Sequence, residues 1–190
     1  MFGRLVLFRR PGARRVRRTV ADVGCGSGRN AAVKGWTIRR DDLTHPDVLD
    51  LLDLHLRAAF ENSPPGSVFA LDASGLRDPS VTVWTAWEDE VLLGMGALKQ
   101  LDPTWGEVKS MRTAPAQLRR GVAAVLLHHV LAEARARGYR RLSLETGSNA
   151  PFAAAHALYR RAGFVECAPF GDYHDTVFAQ YFTKDLAASA

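Results

Sequence analysis

Between Glu107 and Phe164 the sequence switches from strand-like to helix-like patterning twice, an order that few architectures accommodate. An apolar run over residues 105–113 reads as a strand and is ended by Pro115. A turn of small and basic residues follows, Gln117-Leu118-Arg119-Arg120-Gly121-Val122-Ala123-Ala124. Residues 119–137 then read as a helix, with Ala123, Leu127, Val130, Leu131 and Ala134 along one side and Gly138 as its stop. Residues 141–146 form a second strand, and residues 151–161 a second helix that carries Tyr159 and ends at Gly163. Helices that alternate with strands in this way bury their apolar sides against the sheet. The turn has a chemical consequence as well. Small residues at the mouth of a helix leave its backbone N–H groups bare, and such a mouth can hold a pyrophosphate. A tyrosine on the neighbouring helix then stands near whatever that phosphate ligand carries. The stretch therefore points to an enzyme that binds a phosphorylated co-substrate.

The flanking sequence completes one domain. Residues 36–39 read as a first strand. Residues 47–60 scatter Val48, Leu51, Leu52, Leu54, Leu56 and Phe60 at helix-like spacing, with Asp47 as the expected cap. Pro64-Pro65-Gly66 breaks that helix, and a short helix or loop follows over residues 67–76. Two apolar runs, residues 81–87 and 91–98, enclose Glu88-Asp89-Glu90 as a hairpin, and Trp84 and Trp87 on it are expected to pack rather than to bind substrate. Residues 164–168 and 178–183 close as strands. The order β-α-α-β-β-β-α-β-α-β-β predicts a mixed α/β domain in two layers, helices against a sheet.

Charge divides the chain. Residues 1–35 hold nine Arg or Lys against one acid, Asp22, whereas residues 36–190 hold sixteen against nineteen. The overall charge of +5 thus belongs to an arginine-rich lead segment, expected to be a mobile extension because its paired arginines have no apolar period between them. Only that lead has the composition to bind nucleic acid or acidic lipid. The body from residue 36 on is mildly acidic, which gives no support to nucleic-acid binding and is compatible with a cationic amine substrate. No run of about 18 apolar residues occurs, so no membrane span is expected. Cys25 and Cys167 stand apart and fit neither a disulfide framework nor a zinc site, which makes a reducing cytoplasm the expected compartment. His128 and His129 are adjacent on one helix and face different ways, so no metal site is expected there. His156 is expected at the cleft or the surface, and His174 in a solvated loop.

Asp22-Val23-Gly24-Cys25-Gly26-Ser27-Gly28 resembles the first glycine-rich loop of class I methyltransferases. Such an enzyme needs a further doubly wound sheet downstream, and the remaining pattern reads differently. A fortuitous or vestigial segment, or a wrongly chosen start codon, is the expectation.

Residues 36–186 resemble the GNAT superfamily of N-acetyltransferases, and two motifs carry the resemblance. Gly121 and Ala123 match the last two positions of the pyrophosphate turn Arg/Gln-x-x-Gly-x-Gly/Ala, whose first position is Leu118 here. Ala157, Leu158, Tyr159, Gly163 and Phe164 match the string small-Leu-Tyr-x-x-x-Gly-Phe. Phe152 stands where many members keep an Asn, seven residues before the tyrosine.

The resemblance implies a mainly antiparallel central sheet flanked by helices. It also implies transfer of an acetyl group from acetyl-CoA to a primary amine of a small molecule, peptide or lysine. The backbone of Leu118, Arg119, Arg120, Gly121, Val122, Ala123 and Ala124 would hold the pyrophosphate, with added charge from the Arg119 and Arg120 side chains. The backbone of Met111, Arg112 and Thr113 would pair with the pantetheine arm, and Tyr159 would serve the CoA sulfur as general acid. Glu107 matches a glutamate that several members keep on the same strand and is the first candidate base; Glu145 on the next strand is the second. A GNAT-like module that holds acyl-CoA without turnover is the alternative reading. Late strands often build dimers in this superfamily, so a homodimer is an open option.

Overall fold

The structure is a computed structural model that describes residues 35–64, 68–174 and 176–187. The readings made on the lead segment, its glycine-rich run and Cys25 lie outside the described residues. The elements are β1 (Thr37–Asp41), α1 (Pro46–Asn62), α2 (Ala73–Leu76), β2 (Val81–Glu88), β3 (Val91–Asp102), β4 (Trp105–Thr113), α3 (Val122–Ala136), β5 (Arg141–Gly147), α4 (Ala153–Arg161), β6 (Val165–Cys167) and β7 (Ala179–Asp185). This is the order expected from the sequence. The seven strands form one sheet in the order β1-β2-β3-β4-β5-β7-β6. Every neighbouring pair is antiparallel except β4 with β5.

Local chemistry moves two of the expected boundaries. His45, not Asp47, caps α1: its Nδ1 accepts the Asp47 N–H at 3.2 Å. Pro46 then takes the first helical position, where a missing N–H costs nothing. The long helix α3 begins at Val122 rather than 119, because Arg119 and Gly121 have φ of 63° and 92°. No helical residue adopts such angles.

Helices cover both faces of the sheet, so the domain has three layers and not two. On one face α3 and α4 bring Val122, Leu126, Leu127, Val130 and Tyr159 against Trp84, Leu98, Leu142, Leu144 and Phe182. On the other, Val48, Leu51 and Leu52 of α1 and Leu76 of α2 meet Val83, Trp87, Met95 and Ala97. Successive residues of a strand point to opposite faces, which is why Val83 and Trp84 join different cores. A strand buried on both faces reads as a continuous apolar run, as β2 and β3 do. Trp84 and Trp87 are both buried packing residues.

The site is positioned by the way β4 and β5 part. Their parallel ladder holds only Trp105 with Arg141, Gly106 with Leu142 and Glu107 with Ser143. Beyond it β4 stays with β3 as far as Thr113, and β5 stays with β7 as far as Gly147. A bulge accompanies the separation: Ala97 faces Lys109 but Met95 faces Arg112, one extra residue on β4, and Ser110 within it has φ 51°. Bulges bend a strand and increase its twist. The sheet therefore opens into a V between the two parallel strands.

Candidate active site

The V holds a cleft of about 840 Å³, a volume typical of small-molecule sites. Residues 110–113 of β4 line one side, and Glu145, Thr146 and Gly147 of β5 the other. His55 and Asn62 of α1 reach it from one sheet face; the mouth of α3 and Tyr159 of α4 reach it from the opposite face.

At the mouth of α3 the first helical bond runs from the Val125 N–H to the Gly121 carbonyl at 3.1 Å. The amides of Val122, Ala123 and Ala124 thus have no acceptor within the helix. Those of Arg119, Arg120 and Gly121 also donate no hydrogen bond among the described residues. A Cβ built on Gly121 would meet nothing within 4 Å, so the turn is uncrowded at that position. Its φ of 92° favours glycine for conformational reasons alone. Leu118 and Arg119 line the cleft, whereas Arg120 does not. Arg120 Nη2 donates to both carboxylate oxygens of Glu88 at 2.9 and 2.8 Å, so the charge expected of it at the cleft goes to the β2–β3 hairpin.

Glu107 and Ser143 are paired, so Lys109 and Glu145, each two residues on, share their sheet face. Glu107 is 2% exposed and belongs to a buried network, not to a surface ion pair. Its carboxylate accepts from the Tyr173 hydroxyl and pairs with Lys109 Nζ at 3.2 Å. Lys109 Nζ also donates to the Tyr173 hydroxyl at 2.7 Å and to the Phe69 carbonyl at 3.0 Å, which occupies all three of its donors. Glu107 does not line the cleft, and Glu145 does. Burial pushes the Glu145 carboxyl up to about 7; the Lys109 charge opposes this and the Glu107 charge adds to it. That value suits a general base working near neutral pH.

Tyr159 has its ring in the core, edge-on to Phe164 at 5.9 Å and tilted on Phe182 at 6.2 Å, and also lines the cleft. Burial, and then the Glu145 charge, push its phenol well above the ordinary range, so it stays a proton donor at neutral pH. His55 on α1 is held down to about 4 by burial and then by the charges of Arg112 and Lys109, so its imidazole is neutral. The Phe152 ring packs on Gly147 so closely that a Cβ there would clash, and it occupies the cleft wall where an Asn is common. His156 is buried, contrary to its expected place at the cleft or surface: its Nε2 lies 2.9 Å from the Gly147 carbonyl and ties α4 to the end of β5.

Met111, Arg112, Thr113, Leu118, Arg119, Gly121, Val122, Ala123, Ala124, Glu145 and Tyr159 therefore meet in one cleft, while Glu107 and Arg120 stand outside it. Sequence reasoning missed Tyr173 and the buried state of Lys109. Their bonds join positions 64 and 66 residues apart, and no local pattern reports such a pairing. Among the described residues no helix is long and apolar enough to cross a membrane.

A family model described as "Acetyltransferase (GNAT) family" matches residues 48–164. The chain is 54% identical over 151 residues to the uncharacterised N-acetyltransferase YedL of Escherichia coli (strain K12), covering 80% of this chain and 95% of that one. It is 49% identical over 149 residues to the uncharacterised N-acetyltransferase YsnE of Bacillus subtilis (strain 168), covering 78% and 99%. Among solved structures it resembles a GNAT family acetyltransferase from Elizabethkingia anophelis with acetyl-CoA bound, at a TM-score of 0.59 and 19% identity, over 80% of this chain and 99% of the other.

Proposed function

The chain belongs to the acetyltransferase (GNAT) family, and from that premise we propose that it transfers an acetyl group to a primary amine with Glu145 as general base and Tyr159 as general acid. Acetyl-CoA is the co-substrate and supplies the activated acetyl thioester. The observation that carries the assignment is that one carboxyl poised near 7 and one phenol held protonated line the same cleft. The cleft also fits the co-substrate. Residues 119–124 offer unpaired amides to a diphosphate, and the edge of residues 111–113 that faces away from β3 suits the pantetheine arm. The Ser110 hydroxyl, buried without a partner at the bulge, is a further polar group waiting there.

Glu145 takes a proton from the acceptor amine as its nitrogen bonds to the acetyl carbon. Tyr159 gives a proton to the sulfur as the C–S bond breaks, and solvent resets both groups. Glu107, the first candidate from the sequence, has its carboxylate occupied by Lys109 and Tyr173, and we assign it the task of holding those two side chains in place. We assign residues 36–190 to the acetyltransferase domain and, from two lone cysteines, place the protein in a reducing cytoplasm. The test is CoA release across an amine panel. If acetyl-CoA binds and no amine releases CoA above background, the domain is a binding module.

Two substitutions examine the parts separately. Tyr159→Phe is expected to lower kcat by about 10²-fold while acetyl-CoA affinity changes little; unchanged kcat would return Tyr159 to the core alone. Gly121→Val forces a β-branched residue to φ 92°, at a strain of about 1–3 kcal/mol. If the turn relaxes to relieve that strain, its amides swing out of line. Calorimetry is expected to show acetyl-CoA binding about tenfold weaker or worse, and unaltered affinity would remove the amide cradle from consideration.

A further inference from the structure

Arg112 brings to the cleft a charge that no described residue answers. Arg112 leaves β4 on the same sheet face as Lys109, because the bulge restores the alternation and sets it opposite Met95 of the core beneath α1. Its Nε is buried with no hydrogen-bond partner, and among the described residues its guanidinium makes no ion pair. Lys109 differs, since every donor on its ammonium is taken by Glu107, Tyr173 and Phe69. His55, within the electrostatic reach of both cations, is neutral and cannot balance them. Glu145 is the one carboxylate among the described residues that line the cleft, and it makes no ion pair with Arg112. Arg112 is half-buried, and a partly desolvated cation without a counterion is an arrangement that an anionic ligand favours.

Resting on the transferase reading above, we propose that the acceptor is an amine that also carries a carboxylate, an amino acid or close relative, whose carboxylate is gripped by Arg112 while its amine meets Glu145. The planar fork of a guanidinium matches a carboxylate with two parallel bonds. Ala58, Ala59, Val68 and Phe69 give the adjoining wall an apolar character suited to an uncharged side chain. A polyamine would set a second ammonium against Arg112, so the local field reverses what the mildly acidic body suggested. The phosphates of the co-substrate have their own cradle at residues 119–124, on the α3 side.

Binding and turnover by the full chain test this separately. Calorimetry on the CoA-loaded protein would compare amino acids with their decarboxylated amines, with phosphorylated amines and with polyamines. The expected result is preferential binding of the amino acids, weakened about 10- to 100-fold in Arg112→Leu. In acetyl transfer the same variant is expected to raise KM for the amino acid by a much larger factor than KM for acetyl-CoA, because the backbone edge offered to the pantetheine arm is kept. Arg112→Lys is expected to recover part of the loss, and thermal unfolding of each variant checks that the fold is intact. Amino-acid binding that depends on Arg112 but leads to no transfer would support the carboxylate site and defeat the transferase reading alone. Transfer to polyamines, neutral amines or phosphorylated amines with no preference for a carboxylate would overturn the proposal and leave the transferase standing. A rise in acetyl-CoA KM in Arg112→Leu, with acceptor KM unmoved, would also overturn it.

Discussion

Replacing Glu145 with glutamine is expected to lower kcat/KM by about 10²- to 10⁴-fold, the range by which a positioned general base accelerates proton transfer. The pH profile makes the result specific. Glu145 accepts a proton only when ionised, and burial has raised its carboxyl to about 7. Wild-type kcat/KM is therefore expected to climb as pH rises through about 7, and in Glu145→Gln that limb disappears. Stability moves in the opposite sense. The folded-state value lies above the ordinary 4.5, so the folded chain binds the extra proton between these values. The stability that this proton contributes is full below 4.5 and lost as pH rises to about 7. Glutamine carries no such titration, so the variant is expected to be at least as stable as wild type at pH 8 in denaturant melts. A folded variant that keeps full rate, or one that keeps the limb near pH 7, would remove Glu145 from the role of base.

Replacing Lys109 with methionine is expected to cost about 3–5 kcal/mol of unfolding free energy, the penalty for stranding one member of a buried ion pair. Lys109 and Glu107 are 8% and 2% exposed, and the Tyr173 hydroxyl bridges them. Methionine would leave the Glu107 carboxylate without its cation and free the Phe69 carbonyl. The double variant Glu107→Gln with Lys109→Met removes both charges and is expected to lose less than Lys109→Met alone, a coupling that a double-mutant cycle reads directly. The same cycle separates the two glutamates. If Glu107→Gln slowed the reaction by orders of magnitude in a protein of undiminished stability and kept its pH profile otherwise, Glu107 and not Glu145 would be the base.

The fold was legible to the extent that periodicity and punctuation speak locally. The helix face of Leu127, Val130 and Leu131, the stop before Gly138, the hairpin around Asp89 and the strand pairs on either side all follow from spacing and turn chemistry. The cap of α1 was misread because His45 does with a ring nitrogen what Asp47 was expected to do with a carboxylate. The three-layer arrangement was not legible, since an order of elements does not say which face of the sheet a helix will cover. At the site, Gly121 and Tyr159 could be found because their short strings are local. Glu107 and Glu145 could not be ranked, because two acids on adjacent strands look alike until burial and partners distinguish them.

Sequence alone determined the element order, the glycine that turns the chain into α3 and the short strings that mark the cleft, because each depends on neighbours within a turn or two. Tertiary structure decided the rest. The parting of β4 from β5 depends on β4 keeping its register with β3 while β5 keeps its own with β7. The raised carboxyl of Glu145, the capture of Glu107 by Lys109 and Tyr173, and the Arg112 guanidinium left without a counterion among the described residues all depend on which groups desolvation and folding bring face to face. Electrostatic energies are set by distance and burial in space, and separation along the chain specifies neither.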